Sequence, residues 1–465
     1  MNCFIRSLVV NDSYLSKHVQ IPNQLADLKI SGISADSKHI KPDFLFVAKK
    51  GACKNSKDGH DFINDAIKHG ASVVVVDKNH PQTNYYPVPI IRADDSQRAY
   101  AYLCEAFFDY PSKKLSLIGL TGTNGKTSTS FILHALLKHA GFKPHIMGTL
   151  GLGEPGNLIP LTHTTMEAEF ISASLAQLVR SGISHLILEV SSHALMLDRV
   201  AALNFAAVGL TNITHDHLDF HKTLENYYRA KRRLFFDVAN THSYKILPTA
   251  NPWPEASSLT KLSFYGEYSL ADNLNLLGDF HRHNASLAIA IAKIFRIDDQ
   301  TIKHGLTLCQ PIPGRLQQII NEPCPVFVDF AHTPDALQSV LNNLRKLQPH
   351  NIILVFGCGG DRDALKRPLM GNISAKLADI VIITDDNPRS EPAHLIRHAI
   401  LAELKHHPKA YEIANRHEAI KQALDLAKPK DIVLVAGKGH ENYQIYGQEK
   451  TYFSDEEEIK KFFGK

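Results

Sequence analysis

Residues 121 to 127 read TGTNGKT, set between the apolar run Leu115 to Leu120 and the helix-forming stretch Ser130 to Ala140. A strand, a glycine-rich turn and a helix in that order place several backbone N–H groups and a helix N-terminus around one spot, which suits a polyphosphate. Gly122, Thr123, Asn124 and Gly125 supply the N–H groups, Lys126 adds a point charge, and the Thr127 hydroxyl is a magnesium ligand in such loops. The expectation is an ATP or GTP site. Strict G-x-x-x-x-G-K-T spacing is not kept, because Leu120 stands where the first glycine would and Gly119 comes one position early. A plain glycine turn is the competing reading, and the Lys-Thr ending disfavours it.

At 465 residues, with 44% hydrophobic and 21% charged residues, the chain has room for two to four globular domains. The net charge of +4 is small for this length and no block of like charge stands out, so neither nucleic acid nor an anionic membrane is expected as a partner. The six cysteines, Cys3, Cys53, Cys104, Cys309, Cys324 and Cys358, form no C-x-x-C pair. That argues against a disulfide framework or a structural zinc site and suits a reducing cytoplasm. Neither a basic segment leading into a long apolar run at the N-terminus nor about 18 consecutive apolar residues anywhere is present, so a soluble, unexported protein is expected.

The pattern separates three α/β blocks. In the first, strand-like Phe44 to Ala48, helix-like Phe62 to Lys68 and apolar Val73 to Val76 alternate, closing near Tyr110-Pro111. The second runs from the phosphate loop through helix-like Ala168 to Arg180 and the strands Leu186 to Val190 and Ala206 to Thr211, ending at the turn Pro311-Ile312-Pro313-Gly314. The third alternates strands at Val326 to Asp329, Ile352 to Phe356, Ile380 to Thr384 and Ile432 to Ala436 with a helix from about Pro334, which makes a second doubly wound sheet. The expected limits are 1–112, 113–316 and 317–465. Residues 237 to 277 show no clear period, and Asn251-Pro252-Trp253-Pro254 reads as an irregular loop.

Open parallel sheets bind ligands at the C-terminal ends of their strands, which draws attention to Glu189 and the Ser191-Ser192-His193 that follows. A carboxylate beside a phosphate loop is placed to meet nucleotide-bound magnesium, directly or through water. After the next strand comes Thr214-His215-Asp216-His217-Leu218-Asp219-Phe220-His221. His217 and His221 could share a helical face as a zinc pair, but no H-E-x-x-H glutamate lies between them, and in a chain with 26 histidines chance proximity is the better reading. Lys231 sits in a basic amphipathic stretch where a lysine is ordinarily a solvated surface group.

TGTNGKT, EVSSH, TN-x-x-x-DHLDFH, YYRAKRRLF, PGRL, DFAHTPDAL, FGCGGDRD-x-x-KRPLM, DDNPR and AGKGHE follow one another along nearly the whole chain. The set resembles the Mur ligase family, and the combination of FGCGGDRD, DDNPR and AGKGHE resembles its E-type members. The resemblance implies three α/β domains: an N-terminal UDP-binding domain, a central P-loop ATPase-like domain with a parallel sheet, and a C-terminal Rossmann-like domain. It implies ATP-dependent ligation of meso-2,6-diaminopimelate to UDP-MurNAc-L-Ala-D-Glu through an acyl phosphate, in cytoplasmic peptidoglycan precursor synthesis. A monomer without membrane insertion is expected.

By that resemblance Lys126, Glu189, His217 and Lys231 are catalytic, and Thr127, Glu189, His217 and Lys231 make the magnesium sites. Lys231 matches a carbamylated lysine, N6-carboxylysine, in which a cation has become a two-oxygen anion suited to a hard metal ion. Asn284, Arg315 and Asp329 would join the phosphate loop in holding ATP. Thr164, Thr165, Ser191 and Arg199 correspond to muramyl-peptide contacts. Ser34 and Ser37, with Asp36 between them and Gly59-His60-Asp61 nearby, correspond to the uridine side. Arg389 of DDNPR can form two parallel hydrogen bonds to the distal carboxylate of diaminopimelate, which L-lysine lacks. Arg362, Asp386, Asn387, Gly437 and Glu441 complete that pocket, Glu441 suiting the distal ammonium. A turn is the alternative reading of Asp-Asn-Pro, and turn and clamp are compatible.

The chain departs from the family at several positions. Lys38 stands for an arginine, Asp43 for a glycine, Met166 for a proline, Leu197 for a glutamine, Phe330 for a tyrosine and His281 for an asparagine, and the stretch from Lys231 to Gly278 is short. These changes touch the muramyl-peptide contacts more than the ATP site and leave open a ligase of altered substrate. A folylpolyglutamate synthetase-like ligase shares the ATP chemistry but lacks the first domain and DDNPR. A catalytically idle nucleotide-binding protein would not need the second set of metal ligands.

Overall fold

A computed structural model describes residues 3–51, 57–81 and 86–465, so Cys53 lies outside the described residues. Each of three successive blocks is organised on its own mixed sheet with helices packed on it. The first sheet runs in the order Val19–Gln20, Ile90–Ala93, Ala71–Asp77, Phe44–Val47, Gly32–Ser34, and its Val19–Gln20 edge alone is antiparallel. Val73, Val74, Val75 and Val76 are all fully buried. A parallel strand covered on both faces needs apolar side chains at consecutive positions, and β-branched residues fit its pleat.

The central sheet has eight strands, with Ser116–Thr121 flanked by His185–Glu189 on one side and Phe205–Leu210 on the other. All three are parallel, so Thr121, Glu189 and Leu210 end side by side. The phosphate loop leaves the middle strand and enters the helix Lys126–His139. That helix starts earlier than the apolar pattern from Ser130 suggests, because Gly125 at φ +88° reverses the chain in a left-handed conformation that favours glycine. It packs on the helix Asp279–Ile294, where the small buried residues Ala285, Ala288 and Ala292 let the two axes approach closely.

Where the sequence showed no period, Tyr244–Pro248 and Leu262–Tyr265 extend the central sheet as parallel strands. Two features hid them. Lys245 is buried in the first, donating to the carbonyls of Asn240 at 2.5 Å and Ser243 at 3.2 Å. The second is an edge strand of which only Tyr265 is buried. Asn251 to Trp253 form the expected irregular loop, and a short helical turn, Pro254–Ser258, follows it.

The third sheet runs Gln317–Ile320, Val326–Asp329, Ile432–Ala436, Ile352–Phe356, Ile380–Ile383, Ala410–Glu412, parallel except for the first pair. A hairpin, Tyr443–Tyr446 with Glu449–Tyr452, follows Ile432–Ala436 and closes over the DDNPR segment. The Arg389 N–H donates to the Ile445 carbonyl at 3.0 Å, and the Gly447 N–H donates to the Arg389 carbonyl at 2.7 Å.

Candidate active site

The strand ends of the central and third sheets face a shared cleft of about 1300 Å³. On its central wall the phosphate loop is locked by its own polar groups. Thr211 Oγ1 donates to the Asn124 carbonyl at 2.6 Å, the Asn124 N–H donates to Asn212 Oδ1 at 3.0 Å, and Thr123 Oγ1 lies 3.0 Å from the Tyr227 hydroxyl. Two glycines are required by space as well as conformation. A Cβ on Gly122 (φ +151°) would meet Thr211 Oγ1 at 1.8 Å, and one on Gly125 would meet Asn284 Oδ1 at 2.2 Å. Lys126 Nζ folds over the loop, donating to the carbonyls of Gly122 at 2.8 Å and Thr123 at 2.9 Å. Burial depresses its pKa against the pull of Glu189 and Asp216.

The expected metal ligands fall into two groups on either side of this loop. Thr127 Oγ1 donates to Glu189 Oε2 at 3.0 Å, and Thr149 Oγ1 reaches the same oxygen at 3.0 Å. A cluster of hard hydroxyl and carboxylate oxygens fits magnesium. Beneath the loop, Lys231 is 1% exposed, donates to the Gly122 carbonyl at 2.7 Å and lies 4.6 Å from the Tyr227 ring centre. Burial, reinforced by Lys126, pushes its pKa well below the ordinary lysine value. The uncharged amine is the form that can add carbon dioxide. His217 Nε2 lies 3.3 Å from Asp216 Oδ2, whereas His221 Nε2 lies 2.9 Å from Ser192 Oγ. The two histidines therefore serve different partners, and among the described residues no three His, Cys, Asp or Glu side chains converge as a metal-ligand cluster.

Arg315 bridges the walls, donating from Nη2 to Thr127 Oγ1 at 3.3 Å while its guanidinium lies 4.6 Å from the Phe330 ring centre. Asp329 accepts from the backbone N–H groups of Leu316 and Ala331, and burial raises its pKa to about 6 although Arg315 opposes the shift. Asn284 faces Gly125, and His281 Nε2 is 3.4 Å from the Arg315 carbonyl.

On the third-domain wall, Arg389 donates from Nη1 to the Gly360 carbonyl at 2.7 Å, with Arg362, Asp386 and Asn387 lining the same part of the cleft. Arg389 has φ +54°, so DDNPR is a tight turn as well as a side-chain platform. Its pKa is lowered by burial and by Arg362. Glu441 accepts from Asn387 Nδ2 at 2.9 Å, and burial and the nearby Asp386 raise its pKa. Gly437 (φ +106°) leaves no slack for a side chain, since a Cβ would lie 3.0 Å from Asp386 Oδ2.

At the mouth toward the first domain, Thr165 Oγ1 donates to the Glu189 carbonyl at 2.8 Å and accepts from the Ser191 N–H at 2.9 Å. Thr164 Oγ1 is 3.1 Å from Thr149 Oγ1. Arg199 pairs with Glu167 at 2.6 Å, and Lys49 of the first domain meets the other oxygen of that carboxylate at 2.8 Å. Ser34 and Ser37 are buried in the first domain and do not line the cleft; Ser34 Oγ accepts from the Asp36 N–H at 3.2 Å.

Sequence reasoning did not single out several residues that shape the site. Lys438 is fully buried and reaches Asn387 Oδ1 at 3.3 Å, Glu441 at 3.4 Å and Asp386 at 3.6 Å. Its place between two glycines at a strand end was the available signal. Asp216 carried none beyond its motif, and Thr149 carried none. Of the departures, Asp43 takes the left-handed conformation at φ +64° that a glycine would hold without strain. Leu197 lines the cleft through an apolar side chain while its carbonyl accepts from Gln97 Nε2 at 2.5 Å.

Three family models match successive parts of the chain: "Mur ligase family, catalytic domain" over residues 29–108, "Mur ligase middle domain" over 120–262 and "Mur ligase, glutamate ligase domain" over 314–439. A protein of Syntrophomonas wolfei named UDP-N-acetylmuramoyl-L-alanyl-D-glutamate--2,6-diaminopimelate ligase is 37% identical, with 94% of this chain and 95% of that one covered. Its namesake in Clostridium tetani is also 37% identical, over 95% of this chain and 96% of that one. A solved structure of a ligase of the same name superposes with a TM-score of 0.63 at 30% identity, covering 96% of this chain and 97% of that one. A Mycobacterium tuberculosis folylpolyglutamate synthase, 16% identical, shares the fold over 78% of this chain and 94% of its own, with a TM-score of 0.61. With the three domain models in order and relatives of 37% identity along nearly their full length, the chain belongs to the Mur ligase family.

Proposed function

We propose that the protein joins an amine of meso-2,6-diaminopimelate to the D-glutamate side-chain carboxylate of UDP-MurNAc-L-Ala-D-Glu, with ATP cleaved to ADP and phosphate, as a cytoplasmic monomer. The observation that carries this reading is one cleft with a phosphate loop on one wall and the Arg389–Glu441 pocket on the other. The domain limits 1–112, 113–316 and 317–465 and the site roles given above belong to the same proposal.

Gly122 to Gly125 cradle the ATP phosphates, Asn284 and Asp329 flank the nucleotide, and Lys126 and Arg315 concentrate positive charge where the γ-phosphoryl group moves. Thr165, Ser191 and Arg199 hold the muramyl peptide with its carboxylate toward that group. The carboxylate oxygen attacks the γ-phosphorus, ADP leaves, and an acyl phosphate forms. Arg389 pairs with the distal carboxylate of diaminopimelate and Glu441 with its distal ammonium, which orients the other amine toward the acyl carbon. The amine attacks, the C–O bond to the phosphoryl group breaks, and phosphate departs. Magnesium held by Thr127 and Glu189, and by His217 with carbamylated Lys231, would neutralise charge on the phosphate oxygens. Low basicity and enclosure of the Lys231 amine support that modification.

Incubation of the purified protein with ATP, the UDP-dipeptide and a panel of amino acids tests the reading. Amide product and ADP should form in equal amounts and with meso-diaminopimelate preferred; ATP turnover indifferent to the acceptor would refute it.

A further inference from the structure

The scheme above leaves His440, the neighbour of Glu441, without a task. Its ring lines the cleft at the seam between the two substrate regions. The ring centre lies 5.2 Å from that of Phe330, the same ring that carries the Arg315 guanidinium. Arg315 in turn reaches Thr127 at 3.3 Å, so Phe330 and Arg315 link His440 to the phosphate end of the site. Its backbone is pinned, because Gly314 (φ +64°) packs so closely that a Cβ there would meet the His440 nitrogen at 2.3 Å.

The two ring nitrogens differ. Nδ1 is enclosed and has no hydrogen-bond partner. A proton on it would be a buried N–H without an acceptor, and orphaned buried N–H groups are rarer than under-satisfied acceptors. The neutral ring therefore carries its proton on Nε2, the nitrogen left to face the cleft. Burial, with Arg315, Lys438 and His332 close by, holds the His440 pKa down to about 3, so the ring stays neutral. His332 has the opposite arrangement, since its Nδ1 is 2.8 Å from the Phe330 carbonyl, which keeps the proton there.

We propose that His440 is a catalytic residue of the amide-forming step, its Nε2–H donating a hydrogen bond to a phosphoryl oxygen of the acyl phosphate. As the amine nitrogen bonds to the acyl carbon and the C–O bond breaks, the electron pair stays on the departing phosphate, which takes up the proton the amine nitrogen loses, and the donor meets that growing charge. The ring gives up no proton. A neutral imidazole that acts as a fixed donor avoids the reorganisation that water would need. This rests on the ligase reading above.

The test compares wild type, His440→Ala and His440→Gln in amide formation, together with acyl phosphate formation measured by chemical trapping in the absence of amino acid. His440→Ala should lower kcat by about 100- to 1000-fold, the range for losing one such donor, with KM for the amino acid changed only about threefold and trapping largely retained. The glutamine amide can place an N–H near the Nε2 position and should recover about tenfold. Nitrogen-15 NMR of histidine-labelled wild type, assigned by difference against His440→Gln, should show the proton on Nε2. Unchanged kcat in His440→Ala, glutamine as poor as alanine, or a proton on Nδ1 would overturn the proposal. A wild type that traps no acyl phosphate and forms no amide would overturn the ligase reading instead.

Discussion

Lys231 is enclosed beside a second basic side chain, Lys126, with the Gly122 carbonyl as its hydrogen-bond acceptor and Tyr227 against its amine. An enclosed lysine so placed is poorly compensated as an ammonium and better suited to carrying an anionic carbamate. Lys231→Ala should reduce ligation to a few per cent of wild type or less, and acetate at about millimolar levels should restore part of it by occupying the vacated carboxylate position. Full activity in the variant would remove Lys231 from the site. Asp329 gives a pH signature. Burial raises its pKa from 3.8 to about 6, so its contribution to stability is fully present below about pH 4 and is lost as pH rises through 6. The loss amounts to roughly 3 kcal/mol by neutral pH. Asp329→Asn gives up one acceptor for a backbone N–H at every pH but has no ionisation to suffer. Its melting temperature relative to wild type should therefore rise between pH 4.5 and pH 7.5; a constant difference would contradict the assigned cause. At this scale the sequence showed Lys126 and Thr127 through physics and Lys231 only through resemblance, because a lysine in YYRAKRR looks like a surface group until Gly122 closes over it. Lys438 stayed hidden because Asp386 and Asn387, which hold it beside its near neighbour Glu441, lie some fifty residues away in sequence.

The phosphate loop is stiff because its hydrogen bonds and its glycines agree. Gly125→Ala adds a Cβ 2.2 Å from Asn284 Oδ1 at a left-handed position, a conformation that costs a non-glycine residue about 1–2 kcal/mol before any clash. Calorimetry should show ATP affinity reduced by about tenfold or more with UDP-substrate affinity within a factor of about two. Equal losses of both would mean that the domain, rather than the loop, had been damaged. In the third domain the same logic applies to Arg389. Its side chain is half-buried, and removing one partner of a charge pair that a bound substrate encloses typically costs about 2 to 5 kcal/mol. Arg389→Ala should lose most of the preference for meso-diaminopimelate over L-lysine by failing on diaminopimelate rather than by gaining lysine, as side-by-side kcat/KM values would show. An unchanged ratio would leave DDNPR as a turn only. The elements themselves were legible where burial on both faces imposes uniform apolar runs, as in Ile432–Ala436 and Ile352–Phe356. They were illegible where a strand is two or three residues long, as in Val19–Gln20 and Gly32–Ser34, or where a buried lysine breaks the run, as in Tyr244–Pro248.

Across the whole molecule, polar contacts join the three domains at the cleft, beside apolar packing in which Ala168 and Ala201 of the central domain join the core of the first and Phe280 packs against the core of the third. Lys49 of the first domain shares Glu167 with Arg199, Asn124 of the phosphate loop reaches Asp335 of the third domain at 3.2 Å, and His215 Nε2 lies 2.8 Å from Asp363. Among the described residues no helix is long and apolar enough to cross a membrane. Such seams suit an enzyme that must admit three substrates and then exclude water from a hydrolysable acyl phosphate. The order of the blocks was legible from the alternation of strands and helices, whereas these contacts join residues far apart in sequence and leave no local pattern. Oxygen-18 in the acceptor's D-glutamate carboxylate tests the central claim most directly. If the carboxylate attacks the γ-phosphorus and the amine then displaces phosphate, one labelled oxygen must leave with each phosphate released, and release must require the acceptor, ATP and meso-diaminopimelate together. Phosphate without label, or released at the same rate when acceptor or amino acid is omitted, would contradict the account.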